Sequence, residues 1–119
     1  MPTWLAVAFG GAGGAVLRWL VYARVSSALP YGTILVNVMG SFIMGCLFVV
    51  LASRGAGDPL RAGILVGFLG SFTTFSAFSL ETVLLIEQGA LKTALLYAAS
   101  SVIICVLAAF AGLALARSF

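Results

Sequence analysis

The sequence predicts an all-α membrane protein of four transmembrane helices, and three observations carry that expectation. Hydrophobic residues make up 63% of the 119 residues and charged residues only 8%, against about 25% charged in soluble domains. The apolar residues also gather into four runs, each long enough to cross a bilayer core of about 30 Å as a helix of roughly 20 residues. A single membrane domain, residues 1–119, accounts for the chain and leaves no room for a soluble domain beside the spans.

The spans are expected at residues 4–22, 31–52, 62–86 and 93–116. Turn-forming and polar residues separate them: Ser26, Ser27 and Pro30, then Arg54, Gly55, Gly57, Asp58 and Pro59, then Glu87, Gln88 and Gly89. Such short connections make consecutive helices antiparallel neighbours. Trp4, Trp19, Tyr22 and Tyr31 fall near span ends, where amphipathic rings suit the headgroup layer. The chain opens M-P-T-W-L without an early Lys or Arg, so the first apolar run is expected to remain in the mature protein rather than act as a cleaved signal.

The net charge of +3 comes from six basic and three acidic residues. They are scattered singly, which excludes a nucleic-acid-binding face. Arg54, Arg61 and Arg117 lie on one side of the spans, and Arg24 and Lys92 on the other, joined by Arg18 if it snorkels outward. Lys and Arg in loops set orientation, so this near tie predicts insertion in both directions and pairing of opposed copies as an antiparallel, dual-topology homodimer. Four tightly packed helices leave little space for an aqueous path, and a pore is expected between subunits. Small residues suited to close packing recur at Gly10 and Gly14, Ser41 and Gly45, and Gly63 and Gly67.

Histidine is absent, and Cys46 and Cys105 sit deep in apolar runs, so neither a zinc site nor a disulfide scaffold is available. Both cysteines read as small packing residues. With three acidic residues and no nucleophile beside a base, an enzyme is the least expected class.

Polar groups inside the spans are therefore informative. An Arg or Asp at a helix centre costs about 2.5–3.5 kcal/mol on insertion scales. Arg18 follows Gly10 and Gly14 at i+4 steps and so shares their protein-facing side; it either snorkels to the surface or stands at a pore mouth. Glu81 is a partly exposed anchor, a partner for an Arg, or a proton-carrying acid. Thr33, Asn37 and Ser41 form one stripe at i, i+4 and i+8, and Tyr97, Ser101 and Cys105 form another. Each stripe presents hydrogen-bonding groups without formal charge, suited to gluing helices or lining a pore.

The third span is the least regular. It runs apolar to Gly70 and then reads Ser71, Phe72, Thr73, Thr74, Phe75, Ser76, Ala77, Phe78, Ser79. Gly, hydroxyl and β-branched residues are weak helix formers, and non-helical backbone in a membrane is tolerated only where buried in protein or lining a cavity. A helix broken near mid-membrane is expected. Phe75 and Phe78 then share a face with Ser79, and rings held edge-on would stabilise a small desolvated anion, since an aromatic edge is positive.

The motifs G-G-A-G-G-A-V-L-R at 10–18, Y-G-T-I-L-V-N-V-M-G-S-F at 31–42 and G-F-L-G-S-F-T-T-F-S-A-F-S at 67–79 resemble the Fluc/CrcB family of bacterial fluoride channels. The resemblance implies an antiparallel dual-topology homodimer with two pores, spanning the bacterial inner membrane and exporting fluoride passively to relieve toxicity. It implies that Phe75 and Phe78 line the pores, that Asn37 donates to fluoride, and that Tyr97 and Ser101 belong to a polar track on the fourth helix; Ser79, sharing the face of Phe75 and Phe78, is expected on the path as well. It makes Arg18 a vestibule residue. It also implies a structural sodium ion at the dimer centre, held by carbonyls of Gly70 and Thr73. Leu69, Ser71 and Ala77 depart from the commonest third-span motif; none supplies a side chain implied to meet the anion.

Two other readings are consistent with four short spans. A small dual-topology multidrug or guanidinium exporter would be expected to carry a glutamate in its first span, where this chain has Arg18. A non-transporting subunit of a larger membrane assembly would show no flux of its own.

Overall fold

The computed structural model describes all 119 residues, and four of its helical stretches are long and apolar enough to cross a membrane. Helix α1 is Thr3–Arg24 and α2 is Tyr31–Ser53. The third stretch, Asp58–Glu87, is divided into α3 (58–72) and α4 (Phe75–Glu87), and α5 is Leu91–Arg117. The helices overrun the apolar runs by up to four residues because polar caps continue the backbone pattern past the hydrophobic stretch. At Asp58-Pro59, for instance, proline stands in the first helical turn, where a missing N–H costs nothing.

The turns explain themselves locally. Gly55 and Gly89 adopt φ of 63° and 78°, a left-handed conformation that glycine enters without a Cβ penalty. After α2, Ala56 N–H returns to Leu51 O and Gly55 N–H to Ala52 O; after α4, Ala90 N–H returns to Leu85 O and Gly89 N–H to Ile86 O. Each pair closes a Schellman motif and satisfies carbonyls that the helix end leaves open.

The helices pack in two pairs, α1 along α3 and α2 along α5. Both pairs depend on missing side chains. A Cβ placed on Gly10 or Gly14 would collide with the backbone carbonyls of Gly63 and Phe68, and one on Gly45 or Gly112 with those of Ala109 and Phe42. Backbones this close are the small-residue mode of membrane helix packing, in which dispersion replaces the hydrophobic effect.

Between Ala62 and Leu69 the backbone of α3 forms a π-helix. The spacing of the apolar residues gives no sign of it. Its wider turns carry Gly63 and Gly67 against α1, where a Cβ on Gly67 would lie 2.6 Å from Val7 O.

Only 17 of the 119 residues are buried, so most apolar side chains face outward and the interior is narrow. One cluster joins Leu85, Ala94 and Tyr97, with Ile34 and Phe78 against it. That cluster holds α4 against α2 and α5 and fixes the surroundings of the polar groups described next.

Candidate functional site

Helix α3 stops at Phe72. Thr73 (φ −82°, ψ 160°) and Thr74 (φ −152°, ψ 121°) are extended, and α4 begins at Phe75. Two side chains hold this interruption. Thr74 caps α4, its Oγ1 accepting from Ala77 N–H at 3.2 Å. Asn37 reaches across from α2: its Oδ1 accepts Thr74 N–H at 2.7 Å and its Nδ2 donates to Thr74 O at 2.9 Å. One amide thus makes the pair of bonds that a neighbouring strand would make, and Nδ2 retains a second hydrogen.

This diversion has a direct consequence. In a continuous helix Thr74 N–H would bond Gly70 O, and Ala77 N–H would bond Thr73 O. With both N–H groups turned to side chains, the Gly70 and Thr73 carbonyls lose their helical donors. Arg18 of α1 approaches the second, with Nη1 3.4 Å from Thr73 O.

Beside the interruption lies a cleft of about 310 Å3 between α2, α4 and α5. Asn37, Gly40 and Ser41 form one wall, Ser101 and Cys105 another, and Thr73, Thr74, Phe75 and Phe78 the third. No Lys, Arg, Asp or Glu lines it. Phe75 is 76% exposed, and its ring centroid stands 5.4 Å from that of Phe78 at 45°. Phe78 stands in turn 5.4 Å from Tyr97 at 43°. Tilted geometry of this kind presents ring edges to their surroundings.

Ser101 is 7% exposed, and its Oγ is buried with no hydrogen-bond partner. An unsatisfied buried hydroxyl costs about 1–3 kcal/mol, and such an orphan calls for an explanation. Ser101 is one of the residues that line the cleft.

Below Phe78 the polar groups are fully engaged. Glu81 Oε1 accepts from Thr33 Oγ1 at 2.7 Å, and Oε2 accepts from Tyr97 O–H at 2.8 Å. Because Thr33 donates to the carboxylate, Tyr22 O–H must donate to Thr33 Oγ1, 2.7 Å away. Glu81 is therefore held by hydroxyls rather than by an arginine, and the network ties together α1, α2, α4 and α5.

The structure thus brings Asn37, Phe75, Phe78 and Ser101 to one cleft, with Thr73 at its edge. Tyr97 lies beside it, its ring on Phe78 and its proton committed to Glu81. Ser79 does not line it; its hydroxyl donates to Phe75 O of its own helix at 2.9 Å. Arg18 lies on the far side of the interruption, in a hollow with Trp19, Tyr22, Ser76 and Leu80. Gly70 lines neither and is exposed.

Sequence reasoning overlooks two residues. Thr74 is the hub of the interruption, and a Thr preceding an apolar helical run is an N-cap signal. Tyr22 reads as an interfacial ring, yet it is half-buried with its hydroxyl on Thr33; no pattern in α1 reveals a partner 11 residues away.

Comparison with known proteins places these features in a family. A model described as CrcB-like protein, Camphor Resistance (CrcB), matches residues 5–113. A protein of Magnetococcus marinus named fluoride-specific ion channel FluC is 51% identical over 93% of this chain and 94% of its own length. Proteins with the same name from Caulobacter vibrioides and Hahella chejuensis are 49% and 47% identical, covering 95% and 98% of this chain and 94% and 96% of their own. With the family model spanning nearly every residue that builds the helix pairs, the interruption and the cleft, the chain belongs to the CrcB family.

Proposed function

We propose that this chain is the subunit of a fluoride channel that exports fluoride from the bacterial cytoplasm across the inner membrane, passively and down its electrochemical gradient. The observation that carries the reading is the uncharged cleft, lined by Ser101 with its unpartnered hydroxyl, by Asn37 with one N–H to spare, and by two phenylalanine rings. The shared name of the relatives supports it. Fluoride's strong hydration must be replaced step by step, since a bare ion in a low-dielectric medium costs tens of kcal/mol by idealised Born estimates. Neutral donors and ring edges replace water without holding the ion so firmly that it cannot leave.

In this mechanism Ser101 and Asn37 donate to the ion while Phe75 and Phe78 turn their edges to it. Tyr97 orients Phe78, and its hydroxyl joins the path only by leaving Glu81. Ser79 joins only by leaving Phe75 O. Arg18, off the cleft, raises the local anion concentration at the vestibule without standing in the way.

The complete pathway forms between two opposed copies, with the interruption near the membrane midplane. Support comes from the 76% exposure of Phe75 in one copy and from the balanced loop charges, Arg54, Arg61 and Arg117 against Arg24 and Lys92. The released carbonyls of Gly70 and Thr73, two from each copy, fit a sodium ion, because unwound backbone carbonyls are the usual membrane ligands for it. When bound, sodium supplies positive charge that draws the two interruptions together. Thr73 O carries two lone pairs, so its contact with Arg18 leaves one for the ion.

The test is flux. Purified protein in liposomes loaded with potassium fluoride should release fluoride once valinomycin lets potassium follow and balance the charge, monitored with a fluoride electrode, and release far less chloride. No fluoride release where another fluoride channel conducts would overturn the proposal. Phe75→Ile and Phe78→Ile should each depress flux strongly while the dimer persists on size-exclusion chromatography; unchanged flux in both would remove the aromatic path. Proton-coupled transport of an organic cation would instead favour the exporter reading, which family membership leaves without support.

A further inference from the structure

Arg18 is the only charged side chain hydrogen-bonded to the interruption. Its Nη1 lies 3.4 Å from Thr73 O, a carbonyl left without its helical donor because Ala77 N–H is turned to Thr74 Oγ1. That separation is at the long end of hydrogen bonding, so the contact is one of charge with carbonyl dipole more than a fully formed bond. The guanidinium keeps its charge at any accessible pH, and no carboxylate offsets it. None of the residues lining its hollow is acidic, and Glu81, the acid nearest to the interruption in the sequence, has both oxygens engaged by Thr33 and Tyr97. The field of Arg18 therefore falls on Thr73 O uncompensated.

We infer that Arg18 tunes sodium binding at the interruption, holding the affinity below what the Gly70 and Thr73 carbonyls would give by themselves. This builds on the sodium reading above and adds to it a residue that is not a ligand and acts through the Thr73 carbonyl. Two effects work in the same direction there. A positive donor on one lone pair draws electron density from the side that a cation needs, and a full positive charge one contact away from a cation ligand repels the cation, with less screening than in water. Each opposed copy brings its own Arg18, so both sides of the shared site feel it. The coupling is reciprocal: bound sodium loosens the contact between Arg18 and Thr73 by the same factor, releasing the guanidinium toward the vestibule. An Arg18 that merely aimed the carbonyl at the ion would have the opposite sign, its loss weakening sodium binding.

The experiment measures equilibrium binding of radiolabelled sodium to the full-length protein in detergent, with choline keeping the ionic strength constant, for the parent chain, Arg18→Gln, Arg18→Lys and Arg24→Gln. Arg18→Gln should bind sodium about tenfold more tightly, the effect of removing a unit charge at this range. Arg18→Lys keeps the charge on a compact, strongly hydrated head that withdraws from the carbonyl; it should gain about two- to threefold and decides the question if the glutamine variant does not fold. Arg24 ends the same helix, exposed and bonded to Leu20 O, so Arg24→Gln should match the parent. The sodium-dependent rise in melting temperature should follow the same order, since a ligand that binds only the folded state stabilises it in proportion to its affinity. Arg18 variants that bind sodium no more tightly than the parent, or an equal gain in Arg24→Gln, would overturn the inference and leave the sodium reading standing. No binding by the parent or any variant would overturn both. Binding by Arg18→Gln with none by the parent would support the inference, with the competition strong enough to keep sodium off the parent site.

Discussion

Ser101 and Glu81 show how differently two polar side chains of a membrane helix can be treated. The Ser101 hydroxyl meets nothing, so Ser101→Ala removes no internal bond. Thermal stability in detergent should stay the same or rise slightly, while fluoride flux falls about tenfold, the effect of losing one hydrogen bond of about 1.4 kcal/mol to the passing ion. A variant that loses stability instead would show that the hydroxyl serves packing. Glu81 is the reverse case, each oxygen filled by a hydroxyl. Glu81→Gln turns a pure acceptor into a group that must also donate, leaving Thr33 or Tyr97 unmatched; unfolding should become easier by about 1–3 kcal/mol, read from denaturation in detergent. Legibility in the sequence divides along the same line. Spacing places Thr33, Asn37 and Ser41 on one stripe, and Tyr97, Ser101 and Cys105 on another. It cannot say that Thr33 and Tyr97 would be claimed by Glu81 while Ser101 would be left free, because those partners come from other helices.

At the scale of elements, the pairing of α1 with α3 turns on which glycines of the first helix face inward. Gly14 meets the Phe68 carbonyl, whereas a Cβ on Gly13 would find only Phe68 ring atoms at 3.5 and 3.6 Å, ordinary contact distances. Gly14→Ala should therefore cost about 1–3 kcal/mol as an overpacked contact, and Gly13→Ala should be neutral or stabilising through helix propensity. Comparable melting temperatures for the two variants would contradict this packing. Four spanning helices are legible in composition alone, because a bilayer demands long apolar runs. The π-helix of 62–69 is not, since Ala-Gly-Ile-Leu-Val-Gly-Phe-Leu suits an α-helix equally well and the wide turn emerges only against the backbone of α1. Where the third span is interrupted depends likewise on Asn37, 37 residues from Thr74.

For the molecule as a whole, the proposal of opposed copies rests on the near-even split of Arg and Lys across the loops and on the outward-facing Phe75. A C-terminal tag should be reachable by impermeant label from both membrane faces in roughly equal amounts. Adding two lysines to one loop should bias insertion and lower the yield of active dimer, and a tag visible from only one face in the native chain would rule out dual topology. The fluoride assignment itself was carried in the sequence by motif resemblance rather than by physics, since hydropathy and charge say membrane and leave the ion open.

The narrow interior described above has an evolutionary consequence. With 17 of 119 residues buried, outward positions away from the interface between copies should exchange one apolar residue for another at little cost. Constraint then falls on the glycines at the helix crossings and on a handful of polar residues, Asn37, Thr74 and Glu81 among them. A saturating mutational survey under fluoride stress should return a sparse map: long permissive faces on α1 and α5, broken by a few positions where no substitution survives.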